Sequence, residues 1–191
     1  MDISYKITFY SDWNCGSGLG AGADVDLLPI KDASGLPFVP GKTMKGLVRE
    51  ALETLYALRK KDSQDIIELM GKENKSSDGR DMQNGCSFFT NDVIPEELSR
   101  QICSQKWQDY LFRSIASTAI GDDGVAKKHS LRKVQTTIPC EMVGSILDVP
   151  ENMVEEVSDA LRFVKRVGYN RSRGLGRCDI SVMEIKTGGK V

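Results

Sequence analysis

The chain has 191 residues, 40% of them hydrophobic and 28% charged, the balance of a soluble globular protein long enough for one sizeable core. A net charge of -1 excludes a protein that coats nucleic acid with its whole surface, so any nucleic-acid site must be local. There is no apolar run of the roughly 18–20 residues a membrane span needs, and Met1–Lys6 does not open a secretory signal, so a cytoplasmic protein with no membrane partner is expected.

In chain order, residues 3–9 alternate, with Ile3, Tyr5, Ile7 and Phe9 on one side and Ser4, Lys6 and Thr8 on the other. Period two predicts a half-buried strand. Residues 12–22 hold Gly16, Gly18, Gly20 and Gly22 and read as a loop whose backbone can approach a partner closely. Residues 25–31 are extended, and Pro37 and Pro40 keep the chain so up to Gly41. Thr43 is the predicted N-cap of a helix whose apolar stripe runs Met44, Leu47, Val48, Ala51, Leu52, Leu55 and Tyr56.

A short helix follows near 63–70, then a polar loop over 71–85. Cys86–Thr90 predicts a strand. Residues 95–116 predict helix in two pieces, and 119–133 are polar, basic and aperiodic. Residues 134–148 predict one strand, with Ile138, Cys140, Met142 and Ile146 in phase. Residues 150–165 predict a helix with Pro150 near its first turn. Residues 168–176 form a basic glycine loop, and 178–186 the last strand.

Without its insertions (about 57–85 and 95–137) this order is β-α-β-β-α-β. The predicted class is α+β, ferredoxin-like, as one domain over 1–191. The open sheet face of that architecture often binds RNA, but fold alone does not establish it.

The five cysteines (Cys15, Cys86, Cys103, Cys140, Cys178) have no CxxC spacing and predict reduced thiols. With a single histidine, a Cys/His zinc site has little to draw on. Basic residues fall into three groups: Lys42, Lys45 and Arg49; Lys127, Lys128, His129, Arg132 and Lys133; Lys165, Arg166, Arg171, Arg173 and Arg177. Acids gather at Asp148, Glu151, Glu155, Glu156 and Asp159, which predicts a bipolar surface.

Two nucleotide motifs are rejected. Gly41-Lys42-Thr43 opens a helix, but the glycine a P-loop needs falls on Leu36, and Pro40 removes an N–H from the cradle. Gly16–Ala21 resembles a dinucleotide fingerprint but runs into an extended segment rather than a helix. Gly174-Leu175-Gly176, flanked by Arg171, Arg173 and Arg177, combines close backbone approach with positive charge and predicts phosphate contact.

Gly35-Leu36-Pro37-Phe38-Val39-Pro40-Gly41-Lys42-Thr43-Met44-Lys45-Gly46-Leu47-Val48-Arg49 resembles the signature of the repeat-associated mysterious protein (RAMP) superfamily, in which "G-x-P-x-I-P-G-S-S-x-K-G-x-x-R" leads into the first helix. Lys42 departs from the usual small residue. Gly85–Val93 resembles the family's second strand, Lys133–Ile146 its basic stretch leading into a proline-bearing strand, and Arg171–Arg177 its C-terminal glycine-rich loop. The blocks occur in family order and span nearly the whole chain.

The resemblance implies an RNA-recognition-motif-like fold, subunits repeated along a CRISPR RNA, and a basic thumb, for which residues 119–137 are the candidate. Ala23–Asp32 is similar to the "V-D-x-P-I-x-R-D" stretch of target-cleaving backbone subunits of type III effector complexes, which carries their catalytic aspartate over to Asp26, with Asp24 second. A lone carboxylate can position or deprotonate the 2′-hydroxyl of an RNA, or hold a divalent cation such as Mg or Mn.

The main expectation is therefore a type III effector subunit that binds the CRISPR RNA through Lys42, Lys45, Arg49, Lys127, Lys128, His129, Arg132, Lys133, Arg171, Arg173, Gly174, Gly176 and Arg177. It would cleave paired target RNA at Asp26, with copies of itself and other effector subunits as partners. Two alternatives are a non-catalytic architectural RAMP subunit and a repeat-cleaving endoribonuclease using His129 as general base. Trp13 and Trp107 are candidates for base stacking, with core packing or a subunit contact as the other reading.

Overall fold

The computed structural model describes residues 1–20, 25–72 and 84–187. Its strands are β1 (Asp2–Phe9), β2 (Phe88–Phe89), β3 (Phe112–Ser117), β4 (Arg132–Thr137), β5 (Glu141–Leu147) and β6 (Cys178–Lys186). Its α-helices are α1 (Gly41–Arg59), α2 (Gln64–Met70), α3 (Glu96–Gln105) and α4 (Val154–Phe163). The alternation in β1 buries Ile3, Tyr5, Ile7 and Phe9, which makes it a strand covered on one face.

β1 runs antiparallel between β5 and β6, and β2 extends the sheet beyond β5, giving the order β2-β5-β1-β6. With α1 after β1 and α4 after β5, this is the ferredoxin-like arrangement. Both helices bury their apolar stripes against one sheet face; Met44, Val48 and Leu52 of α1 share the core with Val157 and Leu161 of α4. The expected bipolar surface is reduced at α4, where Asp159 and Glu156 pair with Arg59 and Lys61 at the end of α1 (2.6 and 2.8 Å).

Several boundaries differ from expectation. Thr43 is not the N-cap: α1 begins at Gly41 after Pro40, and the Asn91 side-chain oxygen accepts the Gly41 N–H at 3.0 Å. Glycine is needed there, because a Cβ would lie 2.2 Å from the Phe89 carbonyl oxygen. The strand expected over Cys86–Thr90 is regular only at Phe88–Phe89. The helix expected over 150–165 starts with a 3-10 turn, Glu151–Met153, before α4. The loop expected over 71–85 lies largely outside the described residues.

The larger correction concerns 95–148. Lys106, in the left-handed region at φ 57, ends α3. A 3-10 turn (Gln108–Leu111) follows, and 112–117 is a strand rather than helix. It pairs antiparallel with β4, Phe112 opposite Thr137 and Ser117 opposite Arg132. The single strand expected over 134–148 is two, broken around Pro139, with β4 in this ribbon and β5 in the main sheet. Neither strand of the ribbon alternates between buried and exposed residues, so the period-two signal of a half-buried strand is missing there.

Candidate nucleic-acid interface

The segment leaving β1 is stitched to two distant parts of the chain. The N–H of Tyr169 donates to the Asn14 carbonyl, and that of Gly176 to the Asp12 carbonyl, both at 2.7 Å. Gly168 and Gly176 permit this closeness: a Cβ on Gly168 would lie 2.4 Å from the Asn14 carbonyl oxygen, and one on Gly176 1.9 Å from that of Val167. The basic glycine loop is thus pressed against residues 12–17, beside the start of α1. Ser17, Lys42, Thr43 and Arg171 surround a cleft of about 330 Å³ where the three segments meet.

The basic residues of α1 diverge. Lys42 is exposed and lines this cleft. Lys45 stands close enough to Cys86 to oppose the rise that burial imposes on its thiol pKa. Arg49 donates to the Met70 and Gly71 carbonyls at 3.0 and 2.9 Å, tying down the C-terminal end of α2, where a helix leaves carbonyls unpartnered.

In the glycine loop, Arg171 leans toward Glu50 at 3.4 Å. Arg173 and Arg177 are exposed and make no ion pair among the described residues. The two predicted glycines differ: Gly176 gives its N–H to Asp12, whereas Gly174, at φ +89, has open space around it. Trp13 is fully buried and stacked on Phe9 at 4.6 Å between ring centroids, so the stacking role proposed for it does not stand. Trp107 is half exposed. Tyr10, unremarked in the sequence, is 57% exposed, and its N–H donates to the Arg177 carbonyl.

The β3–β4 ribbon stands where a thumb was expected over 119–137. Lys127, Lys128, His129 and Arg132 are exposed on it, and Lys133 is half-buried. Its root is held from three sides. Trp13 and Thr137 exchange both backbone hydrogen bonds, at 3.0 and 2.7 Å. The buried Asp12 carboxylate takes two hydrogen bonds from the Arg113 guanidinium and one from the Thr136 hydroxyl at 3.1 Å. The Lys31 ammonium sits 3.7 Å from the centre of the Phe112 ring, a cation–π contact. Nothing local in the sequence marks Asp12 for this work, since its partners come from far along the chain.

Asp26 lies at the same root. Its N–H donates to the Lys133 carbonyl at 2.8 Å, and its side-chain Oδ2 accepts the Lys133 N–H at 2.7 Å. The carboxylate is otherwise exposed. The second-choice Asp24 lies outside the described residues. Among the described residues no three His, Cys, Asp or Glu side chains gather as a metal centre.

The open sheet face is polar along β1. β1 presents Ser4, Lys6 and Thr8; Lys6 is paired to Glu141 at 2.8 Å and Ser4 to Ser145 at 3.2 Å. These three residues carry no aromatic ring of the kind that stacks bases in RNA-recognition motifs, but β2 adds the exposed ring of Phe88, opposite Leu147 on the same face. No helix among the described residues is long and apolar enough to cross a membrane.

The family model described as "RAMP superfamily" matches residues 6–179. No curated protein sequence matches the chain. Many solved chains share its fold, among them these two. One is a chain of the type III-B Cmr-beta complex bound to cognate target RNA, with TM-score 0.72 and 10% identity over 95% of this chain and 97% of that one. The other is a chain of the Cmr-beta complex in its apo state, with TM-score 0.68 and 10% identity over 96% and 98%.

Proposed function

The chain belongs to the RAMP superfamily, and on that footing we propose that it is an RNA-binding subunit of a type III CRISPR effector complex. The observation that carries the reading is the convergence of Lys42 and Arg171 on one cleft, with Arg173 and Arg177 exposed on the adjoining loop. A near-neutral protein that concentrates exposed cations beside one open cleft has the local footprint a phosphate backbone requires. The structural neighbours belong to complexes of this type, one of them bound to target RNA. The ribbon's exposed Lys127, Lys128, His129 and Arg132 supply a second, projecting contact to guide or target RNA.

The finer reading adds cleavage of paired target RNA at Asp26. The 2′-oxygen of the substrate attacks the adjacent phosphorus as the bond to the 5′-oxygen breaks, leaving a 2′,3′-cyclic phosphate and a 5′-hydroxyl. With Oδ2 engaged by Lys133, the other carboxylate oxygen is the one to orient or deprotonate the 2′-hydroxyl. A divalent cation, where bound, would share that oxygen and supply charge neutralisation at the phosphate. DNA lacks the nucleophile and would be spared. A second reading is favoured by the same hydrogen bond: Asp26 acts as a strut for the ribbon, and the subunit is architectural.

The test is to purify the protein with its neighbours from its own host and sequence the bound RNA. Short RNAs of one phase carrying a repeat-derived end are expected. Random cellular fragments, or no RNA, would overturn the proposal.

A further inference from the structure

Beside the phosphate cleft runs a second, larger groove, of about 870 Å³, between α1 and the chain that leaves α4. Leu47, Gly168, Tyr169 and Arg171 line both, so the two are contiguous. We infer that this groove is a nucleobase pocket, which receives one base of the RNA whose phosphates occupy the neighbouring cleft. The inference rests on the RNA-binding reading above and adds a site and a ligand class to it.

The lining decides the ligand class. Leu47, Ala51 and Val164 supply apolar wall, and two aromatic rings, Phe163 and Tyr169, also line the groove while 47% and 42% exposed. Rings left half in water on a groove wall forgo burial that a flat partner would complete. An anion alone would leave both rings uncovered. Lys165 is paired to Asp179 at 2.5 Å, Arg171 leans on Glu50, and Arg166 donates to the Arg171 carbonyl at 2.8 Å. An aliphatic ligand would strand the polar groups of Thr54, Asn170 and Ser172, which line the same groove. A heteroaromatic ring satisfies both demands, stacking through its faces and hydrogen bonding through its edge. The volume lies in the range of small-ligand sites, about 300–1,000 Å³.

Tyr169 is the residue best placed to act. Its backbone is fixed by the bond to Asn14, so the ring starts from a position set by the same contact that builds the phosphate cleft. Its substitution removes a surface ring and leaves that backbone bond intact.

The experiment measures binding of the full-length chain to an RNA hexamer and to a hexamer with the same phosphates but four abasic inner nucleotides. A third hexamer carries 2-aminopurine at one inner position. Tyr169→Ala should weaken binding of the intact hexamer about tenfold, with Tyr169→Phe near wild type. Wild type should lose a similar factor on the abasic hexamer, and Tyr169→Ala should lose little more there. Fluorescence of 2-aminopurine should fall on binding to wild type and Tyr169→Phe but not to Tyr169→Ala. Equal losses on both hexamers, or no loss on either, overturn the base pocket and leave the phosphate cleft standing. Failure of wild type to bind either hexamer overturns the RNA-binding reading itself.

Discussion

The Asp26 carboxylate holds the Lys133 backbone N–H at 2.7 Å, while the Asp26 N–H donates to the Lys133 carbonyl. One acidic side chain thus ties the segment after β1 to the root of the basic ribbon.

Two substitutions separate the strut from the catalyst. Asp26→Ala removes the acceptor, whereas Asp26→Asn keeps an oxygen for the Lys133 N–H and removes the negative charge. Hydrogen exchange at the Lys133 amide should accelerate in the alanine variant, corresponding to about 1 kcal/mol of local stability, and stay near wild type in the asparagine variant. Target-RNA cutting by the assembled complex should be lost in both. Cutting that survives in Asp26→Asn would leave Asp26 as a strut alone.

Arg171, Arg173 and Arg177 should act through charge. Replacing all three with alanine should weaken RNA binding at low salt. It should also reduce the dependence of log affinity on log salt by about 0.7 for each single-strand phosphate that is no longer neutralised. An unchanged slope would move the phosphate path away from the glycine loop. The check is a fluorescence titration at several salt concentrations.

The buried Asp92 should make stability depend on pH. Its carboxyl accepts the Tyr5 hydroxyl at 2.6 Å through Oδ1, while Oδ2 has no partner. Burial pushes its pKa from 3.8 to about 7, against the lowering effect of the Tyr5 hydrogen bond. Between those values the folded chain binds a proton that the unfolded chain does not, so stability falls as pH rises from about 4 to 7 and levels above. Asp92→Asn, which cannot ionise, should flatten this dependence. It should also be more stable than wild type at pH 8, by up to a few kcal/mol. Urea denaturation at pH 4.5 and pH 8 reads the difference.

Gly174 and Gly176 should respond unequally to alanine. Both have positive φ (+89 and +69), so each substitution carries backbone strain of roughly 1–2 kcal/mol. Only at Gly176 would the new Cβ also meet a backbone atom, the Val167 carbonyl oxygen at 1.9 Å. Gly176→Ala should therefore be several kcal/mol less stable than wild type, beyond the cost at Gly174. Thermal denaturation of the two variants tests the ordering.

The sheet and its two covering helices were legible because their signals are local. Alternation over residues 3–9, the stripe from Met44 to Tyr56 and the bounds of the last strand depend only on which residues must be buried at period two or 3.6. The glycine loop was equally visible, since composition alone marked it as tight and cationic. What the glycines do was decided by the tertiary structure. Gly168 and Gly176 are small because backbone from residues 12–14 and 167 lies against them, a proximity that no neighbouring residue announces. The same holds for Trp13, whose ring reads alike whether it stacks on a base or on Phe9. Arg49 reads as phosphate-binding until the end of α2 arrives beneath it. Asp26, Asp12 and the ribbon they anchor form a set only after β1, residues 25–31 and β4 come together. Sequence by itself determined which segments could be strand, helix and basic loop, through short-range periodicity. Which cations stay exposed and which are spent on carbonyls and carboxylates was decided only by folding, because pairings such as Arg113 with Asp12 and Arg171 with Glu50 join residues 101 and 121 positions apart.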